Sequence, residues 1–328
     1  MKSWLIAGQT GTQDLKLVER DIPALTDTQV LVKLTAPGVV PFDQAIINDE
    51  NEPTFPPAAL PLVPGNQGAG IVEDPGKSGL NKGDRVMFGA FIYGFMAPGS
   101  WAEYCAVEID HIGLIPDSVS DGAASQAAVA YPTAYFALKD AGMAAGKTVL
   151  ATAIGGSVGN AAYQQANAMG AARVFSTAGS TAKAEQARAM GFTDIIDLSR
   201  ESIAEYIMRE TGGAGVDIII DSVGGQVIAE AIKAGGRYCK AIVLGFAAGR
   251  QSTITLADLI LNRVSIQGYG AYTSTPEQWA EAFAFFKQEA DKGNIKVIHD
   301  KSFPFEEAPA ALTYMATQRP FGAVSLTM

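Results

Sequence analysis

Three zones of the chain differ in how hydrophobic and polar residues alternate. From the start to about Gly122, short apolar runs are separated by Pro and Gly, a pattern typical of a β-barrel-like or sandwich-like domain. The runs that predict strands are Val30–Leu34, Gly70–Val72, Arg85–Phe88 and Tyr104–Val107.

The middle zone, from about Ala123 to Ser265, alternates strand-like and helix-like segments. Strands are predicted at Thr148–Ile154, Arg173–Thr177, Asp194–Leu198, Val216–Asp221 and Tyr238–Gly245. Helices are predicted at Val158–Met169, Ala182–Met190, Ile203–Thr211 and Gln226–Ala234. Strands that are apolar throughout, each followed by a helix, indicate a parallel sheet covered on both faces.

The last zone contains one strong predicted helix, Pro276–Lys292. Its aromatic residues Trp279, Phe283 and Phe286 recur at helical spacing, so we expect them to pack in a core rather than contact a cofactor.

Composition narrows the functional class. The 328 residues favour two domains, and a formal charge of −10 without a basic run argues against nucleic acid and anionic membranes as partners. Cys105 and Cys239 are far apart, so two buried thiols are expected rather than a disulfide. The apolar run Met1–Gly8 is short for a signal peptide, which predicts a cytoplasmic location.

The segment Thr148–Gly159 predicts a strand, a glycine-rich turn and a helix, which is the context of a dinucleotide-binding turn. Gly156, without a Cβ, would let the backbone approach a pyrophosphate, and Gly159 would let the helix pack closely on the strand. The N–H groups of Ser157 and Val158 would then face the phosphates at the positive end of the helix dipole.

The strict G-x-G-x-x-G pattern fails, because its first glycine would fall on Ile154. The chain instead reads A-x-x-G-x-x-G from Ala153, with Gly155 also in the turn. Such glycines can be purely structural, but the alternating pattern that follows favours cofactor binding.

The end of the next predicted strand indicates which nicotinamide cofactor binds. NAD sites usually place an acidic residue there, whereas this chain has Thr177, Ser180 and Lys183 before its first carboxylate, Glu185. Lys183 would neutralise a 2′-phosphate, although it is alternatively an ordinary exposed helix lysine. The absent acid and the lysine together predict NADPH.

Several motifs, in the same order along nearly the whole chain, resemble the medium-chain dehydrogenase/reductase superfamily. They are Pro64–Glu73, Gly83–Val86, Gly99–Tyr104, Ile115–Asp117, Thr133–Tyr135, Thr211–Asp217 and Asp221–Gly225. The resemblance implies an α/β fold with a GroES-like β-barrel catalytic domain, residues 1–122 and 266–328. A Rossmann domain with a doubly wound parallel sheet, residues 123–265, would bind NADPH.

The departures from the family pattern concern zinc. Zinc-containing relatives would carry a Cys near Val40 and a His and a Glu where this chain has Asn66 and Gln67. None of the three is a usual ligand of tetrahedral catalytic zinc, and two cysteines cannot supply a four-cysteine structural site. His111 and His299 lie elsewhere, so the prediction is a zinc-free enzyme.

Without a Lewis acid to polarise a carbonyl, hydride transfer is easiest to a conjugated acceptor. The resemblance therefore implies an NADPH-dependent reductase of quinones or α,β-unsaturated carbonyl compounds. The alternatives are a carbonyl or enoyl-thioester reductase of the same fold, or a non-catalytic NADPH-binding protein of the crystallin or adaptor kind.

The proton donor is not identified by the sequence. In relatives an Asn falls at Val40 and some quinone reductases have a Tyr at Ala45, so both familiar groups are missing. The remaining candidates are Asp43, Tyr93, Tyr131 and Tyr269. Asp43 is alternatively a helix or turn cap, and a buried tyrosine is more often part of a core. The apolar segment Phe91–Met96 is either a pocket wall or a hydrophobic strand.

Further cofactor contacts follow from motif positions in the resembled family. They are Pro41, Thr133, Ser222, Val223, Leu244, Gly245, Phe246, Tyr269 and Arg319. Leu198 stands where NADPH-specific relatives often have a Tyr, which weakens the NADPH prediction. The predicted strand Val264–Tyr269 implies a sheet edge that pairs across a two-fold axis, as in dimeric relatives.

Overall fold

The computed structural model describes residues 1–50, 60–270 and 274–328. The chain forms two compact units, Met1–Val129 with Tyr272–Met328, and Ala130–Ala271. We call these the first and the second unit.

The first stretch of the chain builds most of the first unit. Its strands are β1 (Lys2–Ile6), β2 (Leu15–Glu19), β3 (Gln29–Pro37), β4 (Gln67–Asp74), β5 (Arg85–Gly89), β6 (Tyr104–Glu108) and β7 (Ile112–Leu114). Its helices are α1 (Pro41–Ile47) and α2 (Asp121–Ala124), with 3-10 turns at Thr12–Asp14 and Ile109–His111.

Five of these strands form an antiparallel sheet in the order β6-β3-β4-β5-β7, which has the curled, half-barrel form of a GroES-like domain. All four predicted strands of this zone are confirmed. Its core contains β-branched and aromatic side chains, including Val32, Val72, Phe88 and Val107, because alternate residues of each strand point to one face.

The second stretch alternates helix and strand. In chain order it comprises α3 (Ala127–Asp140), β8 (Thr148–Ala151), α4 (Ser157–Ala168), β9 (Arg173–Ala178), α5 (Thr181–Ala189), β10 (Ile195–Asp197), α6 (Ile203–Glu210), β11 (Val216–Asp221), α7 (Gly225–Lys233), β12 (Gly235–Val243), α8 (Leu256–Asn262) and β13 (Ser265–Gly268).

Strands β8 to β13 form a parallel sheet in the order β10-β9-β8-β11-β12-β13. The order reverses between β8 and β11, and ligands of such sheets bind outside the carboxyl ends of the strands at this switch point. The predicted Rossmann fold is therefore confirmed.

The last stretch returns to the first unit with α9 (Pro276–Asp291), β14 (His299–Pro304), a 3-10 turn at Phe305–Glu307, α10 (Ala308–Gln318) and β15 (Ala323–Thr327). Thr275 and Gln278 form a capping box at the start of α9. Trp279, Phe283 and Phe286 are buried, so their prediction as core residues is confirmed.

The segment Phe91–Met96 forms turns, so its interpretation as a strand is wrong. Phe91 packs near Phe42 and Phe95, with ring centroids 4.9 and 5.7 Å away. Glycine at position 94, with a φ of 69°, favours a turn over an extended strand.

Among the described residues, no helix is long and apolar enough to cross a membrane. The cytoplasmic location stays a prediction.

Helix α4 contains a buried amide whose hydrogen bonds are not satisfied. Gln165 is fully buried, and neither its Nε2 nor its Oε1 has a partner among the described residues. The neighbouring Gln164 donates to Tyr131 Oη (3.3 Å) and to Asn160 Oδ1 (2.6 Å).

We predict that Gln165→Leu raises the thermal unfolding midpoint, because a buried unsatisfied polar group costs about 1–3 kcal/mol. Gln164→Leu, the matched control, should lower the midpoint because it removes a donor from buried partners. Differential scanning calorimetry of both variants measures the effect. Destabilisation by Gln165→Leu would contradict the prediction.

Candidate active site

The glycine-rich turn joins β8 to α4. Helix α4 begins at Ser157 with Gly156 as its N-cap residue. A Cβ on Gly159 would collide with the carbonyl oxygens of Thr152 and Ala153, so only glycine lets α4 pack against the turn. The close helix packing predicted from Gly159 is thus present.

Gly156 has no such packing reason to be glycine. A Cβ there would meet only Ala153, at 3.5 Å and beyond, and a Cβ on Gly179 would meet nothing within 4 Å. Both glycines follow the carboxyl ends of neighbouring parallel strands. Open space over a glycine at a helix N-terminus fits a pyrophosphate that approaches the backbone closely.

Hydrogen bonds to Thr177 of β9 hold the glycine-rich turn in place. Ala153 has a φ of 63°, which is unusual for a residue with a side chain. Its N–H donates to Thr177 Oγ1 (2.9 Å), and the Ile154 N–H donates to the Thr177 carbonyl (2.9 Å). Thr177 therefore shapes the turn, and its predicted cofactor contact stays a prediction.

A buried polar network joins β8 and β11 at the switch point. Thr152 Oγ1 donates to Asp221 Oδ1 (2.8 Å) and accepts from the Ser222 N–H (3.1 Å). The other oxygen of Asp221 accepts from the Gly224 N–H (2.8 Å). Burial raises the pKa of Asp221, while these hydrogen bonds lower it. The sequence interpretation missed Thr152, although its hydroxyl in the otherwise apolar run Val149–Ile154 was the signal.

The predicted contacts after β11 and β12 lie next to this network. The Leu244 N–H donates to the Asp221 carbonyl (2.8 Å), and a Cβ on Gly245 would lie 2.6 Å from the Ser222 carbonyl. Phe246 is half exposed, with the Arg250 guanidinium 5.1 Å from its ring centroid. The fold thus brings Ser222, Leu244, Gly245 and Phe246 together at one edge of the sheet.

A carboxylate that the sequence interpretation missed lies at the end of β10. Asp197 accepts hydrogen bonds from Thr181 Oγ1 (2.6 Å) and Ser199 Oγ (2.5 Å), which lower its pKa. Arg200 Nε is 3.5 Å from it. Asp197 pairs in register with Ala178, so an ionised acid lies beside the start of α5. It lies at the end of β10, whereas the sequence analysis looked for an acid at the end of β9.

Ser180 and Lys183 lie at the start of α5, where Ser180 Oγ caps the helix by accepting from the Lys183 N–H (3.4 Å). Tyr269 lies just after β13, and its N–H donates to the Val243 carbonyl (3.1 Å). Thr133 is half-buried on α3. Their contacts to a cofactor stay predictions.

Asp43 is buried in the first turn of α1, in the first unit. Its carboxylate accepts from the Val40 N–H (2.9 Å) and the Asn66 N–H (3.2 Å), so it holds the helix start against the turn before β4. Burial raises the pKa of Asp43 to about 7, against the lowering effect of hydrogen bonds that include Gly65. Asp43 therefore caps α1, as one of its two interpretations predicted. Its catalytic role stays a prediction.

Tyr93 lies in the same unit as Asp43. Its hydroxyl accepts from the Glu108 N–H (2.9 Å) and is 3.1 Å from His111 Nδ1, and the residue belongs to the core of the antiparallel sheet. In the second unit, Tyr131 accepts from Gln164 and is also buried. Burial raises the pKa of both phenols. The hydrogen bonds of Tyr93 hold Glu108 and contact His111, whereas those of Asp43 hold Val40 and Asn66.

Two more predicted contacts lie at helix ends in the first unit. Pro41 is the first residue of α1, and Arg319 ends α10 in the left-handed region with a φ of 46°.

The positions where zinc-containing relatives have ligands carry amides. Gln67 Oε1 accepts from the Val129 N–H (3.3 Å), whereas Asn66 Oδ1 is buried without a partner among the described residues. Across the described part of the chain, no three His, Cys, Asp or Glu side chains are grouped so that they could hold a metal ion.

Comparisons with known proteins agree with the fold. Residues 26–117 match the model of the alcohol dehydrogenase GroES-like domain, and residues 157–288 match that of the zinc-binding dehydrogenase domain. The chain is 30% identical to the quinone oxidoreductase-like protein 2 of Bos taurus, over 82% of this chain and 77% of that protein. It is 32% identical to the 2-methylene-furan-3-one reductase of Solanum lycopersicum, over 99% and 78%.

Among solved structures, a mycobacterial protein complexed with NADPH superposes with a TM-score of 0.85 at 24% identity, over 100% of both chains. The chain belongs to the medium-chain dehydrogenase/reductase superfamily and is quinone oxidoreductase-like. It is an oxidoreductase of this family, whose members use a nicotinamide cofactor.

We predict that Gly156→Ala leaves the thermal unfolding midpoint near the wild-type value but weakens binding of the nicotinamide cofactor about ten-fold or more. The fold has room for the methyl group, whereas a pyrophosphate on the backbone does not. Cofactor binding is measured by the fluorescence of the reduced cofactor.

Gly159→Ala is the matched control and should destabilise the second unit, because its Cβ meets backbone carbonyls. Unchanged cofactor affinity in Gly156→Ala would show that the pyrophosphate does not lie over this turn.

Proposed function

We propose that the protein is a zinc-independent, NADPH-dependent reductase that transfers hydride to quinones or α,β-unsaturated carbonyl compounds. The observation that carries the proposal is the pair of amides, Asn66 and Gln67, where zinc-containing relatives have metal ligands. Amide side chains bind zinc poorly, so the substrate that accepts the hydride would be one that can be reduced without a Lewis acid. One relative is named as quinone oxidoreductase-like and another as a 2-methylene-furan-3-one reductase. Both compounds in these names contain a conjugated carbonyl group.

The residues of the second unit would hold the cofactor at the carboxyl edge of the parallel sheet. The N–H groups of Ser157 and Val158 would bind its pyrophosphate, and Ser180 and Lys183 would receive a 2′-phosphate. When bound, the cofactor supplies the hydride. Asp197 opposes the NADPH assignment by its charge, which the Arg200 guanidinium, with Nε 3.5 Å away, partly offsets.

The function is tested by the oxidation of NADPH, and separately of NADH, with 1,4-benzoquinone, 9,10-phenanthrenequinone and 2-alkenals. We expect turnover of at least one acceptor class, a preference for NADPH, and no loss of activity with 1,10-phenanthroline. Stoichiometric zinc, or inhibition by the chelator, would overturn the zinc-independent assignment. Tight cofactor binding with no turnover would instead favour a non-catalytic binding protein.

Lys183→Glu tests the preference for NADPH over NADH, because it replaces the cation expected at the 2′-phosphate by an anion. It should lower the affinity for NADPH about ten-fold and leave that for NADH nearly unchanged.

We further propose that two copies of the chain pair through β13, as the resemblance to dimeric relatives implies. Strand β13 ends the sheet order of the described strands, and all four of its residues are exposed. Beside it in the chain, α8 exposes Leu256, Ile260 and Leu261, of which Leu261 is 79% exposed. An open strand edge and exposed apolar side chains each favour association.

We predict a dimer by size-exclusion chromatography with light scattering, and a monomer for Ile266→Glu, which places a charge on the edge strand. Ile71→Glu, at an exposed isoleucine of β4, is the control and should keep the dimer. A wild-type mass of one chain would defeat the proposal.

A further inference from the structure

The loop after β10 carries an arginine that lies at the same edge of the sheet as the candidate cofactor residues. Strands β9 and β10 are parallel, and Asp197, the last residue of β10, pairs in register with Ala178, the last residue of β9. The Leu198 N–H donates to the Ala178 carbonyl (3.0 Å), so the loops after the two strands begin side by side. Arg200 and Ser180 therefore both lie at the carboxyl edge of the sheet.

Hydrogen bonds to a buried carboxylate hold this loop against the start of α5. Asp197 is 3% exposed, and its Oδ2 accepts from Thr181 Oγ1 (2.6 Å). Its Oδ1 accepts from the Ser199 N–H (3.0 Å) and from Ser199 Oγ (2.5 Å). The Arg200 N–H donates to the Asp197 carbonyl (3.0 Å), which closes a turn. The backbone that carries the Arg200 side chain is thus fixed beside α5.

The side chain of Arg200 is accessible to a ligand. It is 70% exposed, and its Nε is 3.5 Å from Asp197 Oδ2. Within the described part of the chain, its two terminal nitrogens donate to no other residue. A guanidinium has five N–H donors in a planar arrangement that matches the oxygens of a phosphate. The exposed end of Arg200 can therefore bind an anion while its Nε stays close to Asp197.

The loop after β9 has open space next to its backbone. A Cβ on Gly179 would meet nothing within 4 Å, and the backbone of Gly179 is not in the left-handed region. Neither packing nor backbone conformation therefore requires glycine at this position. As at Gly156, open space over a glycine at the carboxyl edge fits a part of the cofactor that approaches the backbone closely.

We propose that Arg200 binds the 2′-phosphate of NADPH and that Asp197 is the positioning residue that holds Arg200 beside it. This inference rests on the proposed NADPH-dependent function and adds to it a specificity-determining residue outside α5. NADH has a neutral hydroxyl in place of the 2′-phosphate, so a cation here favours only the phosphorylated cofactor. The acid at the end of β10 thus supports NADPH binding through the cation that it holds.

Isothermal titration calorimetry of the full chain with NADP⁺ and with NAD⁺ tests the proposal. The two cofactors differ only in the 2′-phosphate, and the measurement needs no turnover. We expect Arg200→Gln to weaken NADP⁺ binding about ten-fold, the effect of one charge-assisted hydrogen bond, and to leave NAD⁺ binding within about two-fold. Arg200→Lys should keep part of the preference, because it keeps the charge and loses the planar arrangement of donors.

Arg237→Gln is the matched control. It removes the same charge from an exposed arginine near the amino end of β12, at the opposite edge of the sheet. It should leave both affinities unchanged. The inference would be overturned by equal weakening of NADP⁺ binding in both variants, by no weakening in Arg200→Gln, or by wild-type protein that binds NAD⁺ as tightly as NADP⁺.

A double-mutant cycle with Asp197→Asn tests the positioning role of Asp197. Asparagine keeps an acceptor for Ser199 and removes the charge that attracts Arg200. We expect Arg200→Gln to cost less NADP⁺ affinity in the Asp197→Asn background than in the wild-type protein, because Arg200 is already misplaced there. An equal cost in the two backgrounds would show that Asp197 is only a neighbouring charge, and it would overturn the positioning role.

The turnover assays separate this inference from the proposed function. A preference for NADPH in the reduction of a quinone or 2-alkenal that survives Arg200→Gln would leave the proposed function standing and remove the inference. An Arg200-dependent preference for NADP⁺ in binding, without turnover of any acceptor, would uphold the phosphate contact and remove the reductase function.

Discussion

The hydrogen bond from Thr152 to Asp221 joins the two central strands of the parallel sheet where the strand order reverses. It is buried, so it is stronger than it would be in water, and the loss of either partner would remove one hydrogen bond from the other in a buried site. The same carboxylate holds the Gly224 N–H, and the Thr152 hydroxyl holds the Ser222 N–H. The turns that follow β8 and β11 therefore keep a fixed relation, and the candidate cofactor residues depend on it.

The first unit contains a comparable buried hydrogen-bond network. One buried carboxylate, Asp43, holds the start of α1 and the turn before β4 through backbone N–H groups. In a zinc-containing relative, metal ligands would lie on these same two segments. Here the two segments are joined by hydrogen bonds to one carboxylate, and the ligand positions carry Val40, Asn66 and Gln67.

The long elements could be predicted from the sequence because their periodicity is set by burial. Helix α9 shows its aromatic residues at helical spacing, and β11 is apolar along most of its length. Helix α1 was predicted only indirectly, through the interpretation of Asp43 as a helix or turn cap, because one partner of that carboxylate, the Asn66 N–H, is distant in the chain. The turns at Phe91–Met96 were missed for a related reason, since an apolar segment does not reveal whether its backbone is extended.

The candidate site was predictable where a motif fixes the backbone, as at Gly156 and Gly159, and not where side chains from different strands meet. Asp197 belongs to β10, and only the register of that strand against β9 brings it beside α5. This placement has a consequence for protein engineering. Attempts to change the nucleotide selectivity of this enzyme by redesigning the loop after β9 alone would leave an anion in place on the adjacent strand. A library that varies Asp197 together with its hydroxyl partners Thr181 and Ser199 would include variants in which this negative charge is removed, which a library confined to the loop after β9 would not.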